Sequence, residues 1–141
     1  MTYQIMLKRI YRPAEPADGV RILVDRLWPR GKRRESLALA HWYRDASPSS
    51  ALRRQYHQQE ISHQVFATRY RGELSDHPDC LIPLMRYARQ GPLTLLTAVR
   101  DVESSHLPIL KEALLAALQQ EDADDSESAS PPCYLSILPR K

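Results

Sequence analysis

Residues 20–31 read VRILVDRLWPRG. Val20, Ile22, Leu23 and Val24 make a short aliphatic run, bounded by Gly19 before it and by Pro29 and Gly31 after it. A run of this length without polar alternation is the pattern of a strand covered on both faces, as in a parallel sheet carrying helices. It ends abruptly. Asp25 and Arg26 follow the last apolar residue, and Trp28, Pro29, Arg30 and Gly31 make a turn, because proline lacks an amide donor and fixes its own φ. A capped strand with a core tryptophan and a structural Asp-Arg pair accounts for the same residues, so these twelve positions indicate a place rather than a substrate.

A second core strand is read at residues 93–99, LTLLTAV, followed by Arg100, Asp101, Ser104, Ser105 and His106. A first strand is read at 3–10, with Ile5 and Leu7 on one face and Lys8, Arg9, Tyr11 and Arg12 clustered at its end. The link at 12–19, RPAEPADG, reads as a loop shorter than the usual parallel crossover, which leaves antiparallel pairing and a tight crossover both open. Residues 37–45 are read as a helical turn or irregular cover. Beyond them, Ser47 is read as the cap of a helix containing Leu52 and Tyr56, with Pro48 at its first position. Ser62 caps the next, whose stripe is Ile61, Val65, Phe66, Tyr70 and Leu74, with Arg69, Arg71 and Glu73 facing away. A third helix spans about 79–90, and a fourth runs 107–118 with Ile109, Leu110, Ala113, Leu114, Ala117 and Leu118 inward.

These elements imply one compact α/β domain over residues 1–120, a small, mostly parallel sheet with helices packed on its faces. The chain of 141 residues is long enough for one core and too short for two. Residues 121–133 are acidic and serine-rich, a composition that reads as a linker or tail, and 134–141 turn apolar again and read as an added edge strand or a segment docking back on the domain. The opening MTYQIMLKRIYRP has no apolar signal core and no apolar run is long enough to span a membrane, so the expectation is a cytoplasmic protein with no membrane partner. Cys80 and Cys133 lack ligand or disulfide spacing and read as free thiols, and His57 and His63 are poorly spaced for a metal, so no metal is assigned.

Net charge is +3, but residues 1–54 hold 12 Lys/Arg against 5 Asp/Glu, while 121–127 hold 5 acids and no base. Arginine outnumbers lysine 16 to 4, and the planar guanidinium grips carboxylate or phosphate at two points. In open α/β sheets ligands bind outside the carboxyl ends of the strands. That rule gathers Arg9, Arg26, Arg30, Arg100, Ser104 and Ser105 as an anion-binding set, with a helix N-terminus adding its dipole at Ser104 to His106. Asp25, Asp101 and His106 are the candidates for proton transfer. The anion would be phosphate, nucleotide or carboxylate; whether the site is enzymatic stays open, and no cofactor or oligomeric state is named. The four glycines, Gly19, Gly31, Gly72 and Gly91, are too dispersed for a dinucleotide fingerprint or a P-loop, and no Gly-x-Ser-x-Gly elbow occurs. Two other classes remain: a nucleic-acid module using the basic N-terminal surface, with Trp28, Trp42 or Tyr43 stacking on bases, and a protein-interaction domain regulated by its acidic tail. The basic run GKRRES at 31–36 serves the nucleic-acid reading, although such runs are commonly just solvated.

Taken together, KRIYRPAEPADGVRILVDRLWPRG (8–31), SPSSALRRQYH (47–57), FATRYRGEL (66–74) and GPLTLLTAVRDVESSHLPILKEAL (91–114) resemble the YeaO-like family of small bacterial proteins, domain of unknown function 488. DRLWPRG is the specific part. The resemblance implies a compact α/β domain and brings no established activity. Asp25, Arg26, Trp28, Pro29, Arg30 and Gly31 match the signature, and His106 matches the histidine before the last helix. Thr97 stands where relatives usually have tyrosine, and the cysteines that longer relatives carry in this region are missing here, so the resemblance does not carry over their thiol-based mechanism. The acidic stretch and CYLSILPRK lie outside the shared part.

Overall fold

The computed structural model describes residues 2–129. Four parallel strands, β1 (Ile5–Arg9), β2 (Val20–Leu23), β3 (His41–Trp42) and β4 (Leu93–Thr97), form one sheet in the order β1-β4-β2-β3. Every residue of β4 is buried, as a central strand with both faces covered requires. β1 and β2 each pair with β4, so both readings left open for their link reduce to one: a tight parallel crossover from Ile10 to Gly19. It holds with no more than a 3-10 turn, Pro16–Asp18, because it is tied to the sheet. Lys8 Nζ donates to Pro13 O, Glu15 and Asp18, and Asp18 accepts Arg21 Nη1 at 2.6 Å. Thr94 Oγ1 donates to Asp18 O at 2.7 Å. The link re-enters the sheet at Gly19, φ 64°, where a Cβ would stand 2.2 Å from Pro92 O. Only glycine fits that approach.

Four helices, α1 (Ser50–His57), α2 (His63–Asp76), α3 (Ile82–Gln90) and α4 (Leu107–Ala129), contribute Leu52, Phe66, Tyr70, Leu84, Leu110 and Leu114 to one core with Ile5, Ile22, Val24, Leu93 and Leu95. The opposite face is covered by loops: Ile10, Leu23, Leu37 and Leu96 make a smaller core closed by Trp28 and Trp42. Alternation along β2 and β4 divides their residues between the two.

Several local expectations are corrected. Residues 41–42, read as helical or irregular cover, pair with β2, with Ala40 N donating to Arg21 O and Tyr43 N to Leu23 O. Helix α1 is capped by Ser49 rather than Ser47, whose hydroxyl is drawn to Arg44 O. Glu73, expected to face away, accepts both the amide and the hydroxyl of Ser49. Val65 is exposed, and the buried stripe of α2 uses Ala67 instead. A 3-10 turn, Pro78–Leu81, occupies the start of the expected third helix.

The largest difference is at the end of α4. The helix runs on through the first part of the stretch read as an acidic linker, although acids near a helix C-terminus oppose its dipole. Partners distant in sequence outweigh this: Arg89 bonds Glu121 at 2.7 Å and Asp122 at 2.9 Å, and Tyr3 Oη donates to Asp122 at 2.6 Å. The rest of the linker and the segment expected to dock back, 134–141, lie outside the described residues.

Candidate functional site

β2 runs out into Val24 and Asp25, and both are fastened to the end of β4. Val24 N donates to Leu96 O, while the Asp25 carboxylate accepts Thr97 Oγ1 at 2.7 Å and the Ala98 amide at 2.8 Å. Thr97, the position that departs from the resemblance, is thus a partner of the signature aspartate. His106 sits at the entry to α4 with Nε2 on Val24 O and 3.6 Å from Asp25 Oδ1. Nε2 is therefore the protonated nitrogen. Burial pushes the Asp25 carboxyl up to about 6, against the pull of the Ala98 amide, the Thr97 hydroxyl and the Arg53 charge. Burial brings the His106 ring down to about 4, against its bond to Val24 O, so the ring is neutral at pH 7.

The turn after Asp25 is pinned on both flanks. Arg26 donates from Nε to Pro48 O and from Nη2 to Ser47 O, which ties the turn to the entry of α1. The Trp28 indole N–H donates to Lys32 O, and its ring meets Trp42 edge-on with centroids 5.1 Å apart. Trp42 in turn donates to Asp25 O. These aromatics are therefore engaged with each other and with backbone.

Between this turn, α1 and the start of α4 lies a cleft of about 530 Å³. Of the residues expected to act together, Asp25, Arg26, Arg30, Ser104, Ser105 and His106 line it. Arg9, Arg100 and Asp101 do not. They line a separate depression of about 480 Å³ with Lys8, Arg12, Glu15 and Glu103. The loop after β4 turns toward the β1 edge, and Asp101 Oδ1 caps its 3-10 turn by accepting Glu103 N. Tyr11, whose ring lies under the Arg9 guanidinium at 4.7 Å, reaches the first cleft.

The helix start expected to cradle an anion is also occupied. Ser105 Oγ accepts the Leu107 amide at 3.1 Å and donates to Val102 O, and Ser104 Oγ donates to Asp101 O. Besides Arg26 and Arg30, the cleft takes a third arginine, from α1. Arg53 lines it, and its buried Nε makes no hydrogen bond. Tyr56 stacks on Phe66 with centroids 4.2 Å apart and donates to Ser104 O. The signal was present in ALRRQYH: Arg53, Tyr56 and His57 stand at i, i+3 and i+4, one helix face.

Among the described residues no group of three or more His, Cys, Asp or Glu side chains is placed to hold a metal ion, and no helix is long and apolar enough to cross a membrane.

The family described as "Inactive DUF488-N3 subclade" matches residues 4–135. The uncharacterised protein YeaO of Escherichia coli K12 is 40% identical over 110 residues, 78% of this chain and 96% of the relative. The uncharacterised protein Rv3073c of Mycobacterium tuberculosis H37Rv is 37% identical over 111 residues, 79% of this chain and 93% of the relative. No solved structure matches significantly.

Proposed function

The chain belongs to the YeaO-like DUF488 family, and from that footing we propose that it is a non-catalytic binding domain that holds a small anion in the cleft between the ends of β2 and β4. The cleft lies where the loops leaving two adjacent parallel strands diverge, one toward β3 and the other toward β1, which is where open α/β sheets bind ligands. Arg26, Arg30 and Arg53 line it with a single carboxylate, that of Asp25.

The observation that carries the reading is the Arg53 Nε, buried and without an acceptor. Leaving such a donor unmade costs about 1–3 kcal/mol, more for a charged group, and a bound anion removes that cost. The groups that would transfer protons are committed elsewhere. Both Asp25 oxygens accept bonds, from Thr97 and Ala98, His106 Nε2 is held by Val24 O, and Asp101 stands outside the cleft. The word "inactive" in the subclade's description agrees with that chemistry. We also place the protein in the cytoplasm, where the free Cys80 thiol stays reduced.

Thermal melting of the full chain with phosphate, acetate or benzoate tests the proposal. At about 100 times Kd a bound anion adds about 2.7 kcal/mol to stability, seen as a rise in Tm. Arg53→Met keeps the aliphatic stem and removes the unpaired donor, so it should lose the rise while its unliganded melt does not fall below wild type. A wild type that answers to none of the anions, or an Arg53→Met protein that answers in full, defeats the reading.

A further inference from the structure

We infer that the ligand of this cleft is an amphipathic monocarboxylate, one carboxylate joined to an apolar body, and that Leu27 closes over that body. The inference rests on the anion-binding reading and narrows it.

Leu27 is 60% exposed and lies on the cleft wall. Val65 and Ile82, the other large apolar side chains exposed among the described residues, sit on or at the start of helices outside this cleft. A lone exposed leucine is ordinary on a protein surface. This one stands between Arg26, pinned to Ser47 O and Pro48 O, and Trp28, pinned to Lys32 O and Trp42. Its backbone is therefore held at the mouth of the cleft. The same cleft is lined by Tyr56, Phe66, Ala98 and Val99. An apolar ligand body between these residues would remove Leu27 from water, which is favourable in proportion to the area covered.

The choice of head group follows from the helix ends. Phosphate is typically held by free amides and the positive dipole at a helix N-terminus. Both helix starts beside this cleft already have internal acceptors. At α4 the Leu107 amide is taken by Ser105 Oγ. At α1 the Leu52 amide is taken by Ser49 Oγ, and the Glu73 carboxylate binds Ser49, so negative charge already stands there. An anion in the cleft must rely on side chains, chiefly the Arg53 fork, whose parallel N–H groups fit the two oxygens of a carboxylate. Asp25 adds to this preference, since a dianion beside it meets more repulsion than a monoanion does. The volume of about 530 Å³ suits a ligand with a fused-ring or branched body.

Calorimetric titration of the full chain with 2-naphthoate, acetate and inorganic phosphate tests this, using wild type, Leu27→Ser and Arg53→Met. In wild type 2-naphthoate should bind about 100-fold more tightly than acetate, through burial of its rings. Leu27→Ser should weaken 2-naphthoate about 10-fold and leave acetate unchanged, the effect of one aliphatic contact. Because Leu27 is exposed, this variant keeps its fold. Phosphate binding more tightly than 2-naphthoate, or an unchanged 2-naphthoate affinity in Leu27→Ser, overturns the inference. If acetate and phosphate bind as well as 2-naphthoate and Arg53→Met abolishes all three, the anion site stands and the amphipathic ligand falls. If none of the three binds to wild type, both readings fall.

Discussion

Asp18→Ala should cost about 3–5 kcal/mol, the loss seen when one partner of a buried ion pair is removed. Asp18 is 2% exposed and Arg21 5%. The carboxylate accepts Arg21 Nη1, Lys8 Nζ and the Glu15 amide, so one substitution leaves a guanidinium inside the loop-covered face with only Leu37 O as acceptor. Urea unfolding should show a much lower midpoint at unchanged slope. Arg21→Met in the same background should recover much of the loss, because it removes the stranded charge. A loss below about 1 kcal/mol would place Asp18 in the class of surface pairs and defeat the prediction. Although burial works against it, the Asp18 carboxyl is held below its ordinary range by the Glu15 amide, Lys8 and Arg21. Its stabilisation is therefore present above the ordinary carboxylate pKa and is lost as pH falls through the lower folded value.

The second large effect is hidden in the wild type. Asp25 titrates at about 6 in the fold against an ordinary 3.8, so the folded state binds its proton more tightly and stability falls as pH rises from about 4 to 6. His106 titrates at about 4 against an ordinary 6.5, so the folded state holds its proton less tightly and stability rises across nearly the same window. Each difference is worth about 3 kcal/mol at about 1.4 kcal/mol per pH unit. The two nearly cancel, and the wild type should be close to pH-independent between about 4.5 and 6. Single substitutions uncover each half. His106→Gln should lose about 3 kcal/mol between pH 4 and 6 as Asp25 ionises, and Asp25→Asn should lose a similar amount as pH falls from 6.5 to 4 and His106 takes up a proton. Urea midpoints measured at half-unit steps decide it. Profiles of the same slope in the two variants would contradict the compensation.

The two central strands were legible because each is a short aliphatic run that must be buried on both faces, and Leu93 to Leu96 are fully buried or nearly so. The direction of β1 against β2 was not, because it depends on Lys8 and Asp18 tying down the crossover. β3 is two residues long and leaves no period to read. The continuation of α4 into its acids depends on Arg89 and Tyr3, more than thirty positions away in the chain. At the strand ends, Asp25, Arg26 and Arg30, the residues leaving β2, line one cleft with Ser104, Ser105 and His106. Arg9, Arg100 and Asp101 were grouped with them because proximity to a strand end says nothing of which way the loop then turns. Arg53 was passed over because an arginine on an amphipathic helix looks like solvated surface until the sheet edge beside it is known.

The central place of β4 sets the order in which the molecule can be made. β1 and β2 are synthesised first, yet their shared neighbour in the sheet arrives only with residues 93–97. Until then a nascent chain has no ladder for β1, and β2 has only the short β3 beside it. Such long-range pairing makes for slow folding and leaves strand edges open meanwhile. Pulse-labelled hydrogen exchange during refolding should find the amides of β1 and β4 becoming protected in one phase; earlier protection of β1 alone would contradict this. On the ribosome the domain should remain without its sheet until just over two-thirds of the chain has emerged, and its exposed aliphatic runs are then what a chaperone would meet.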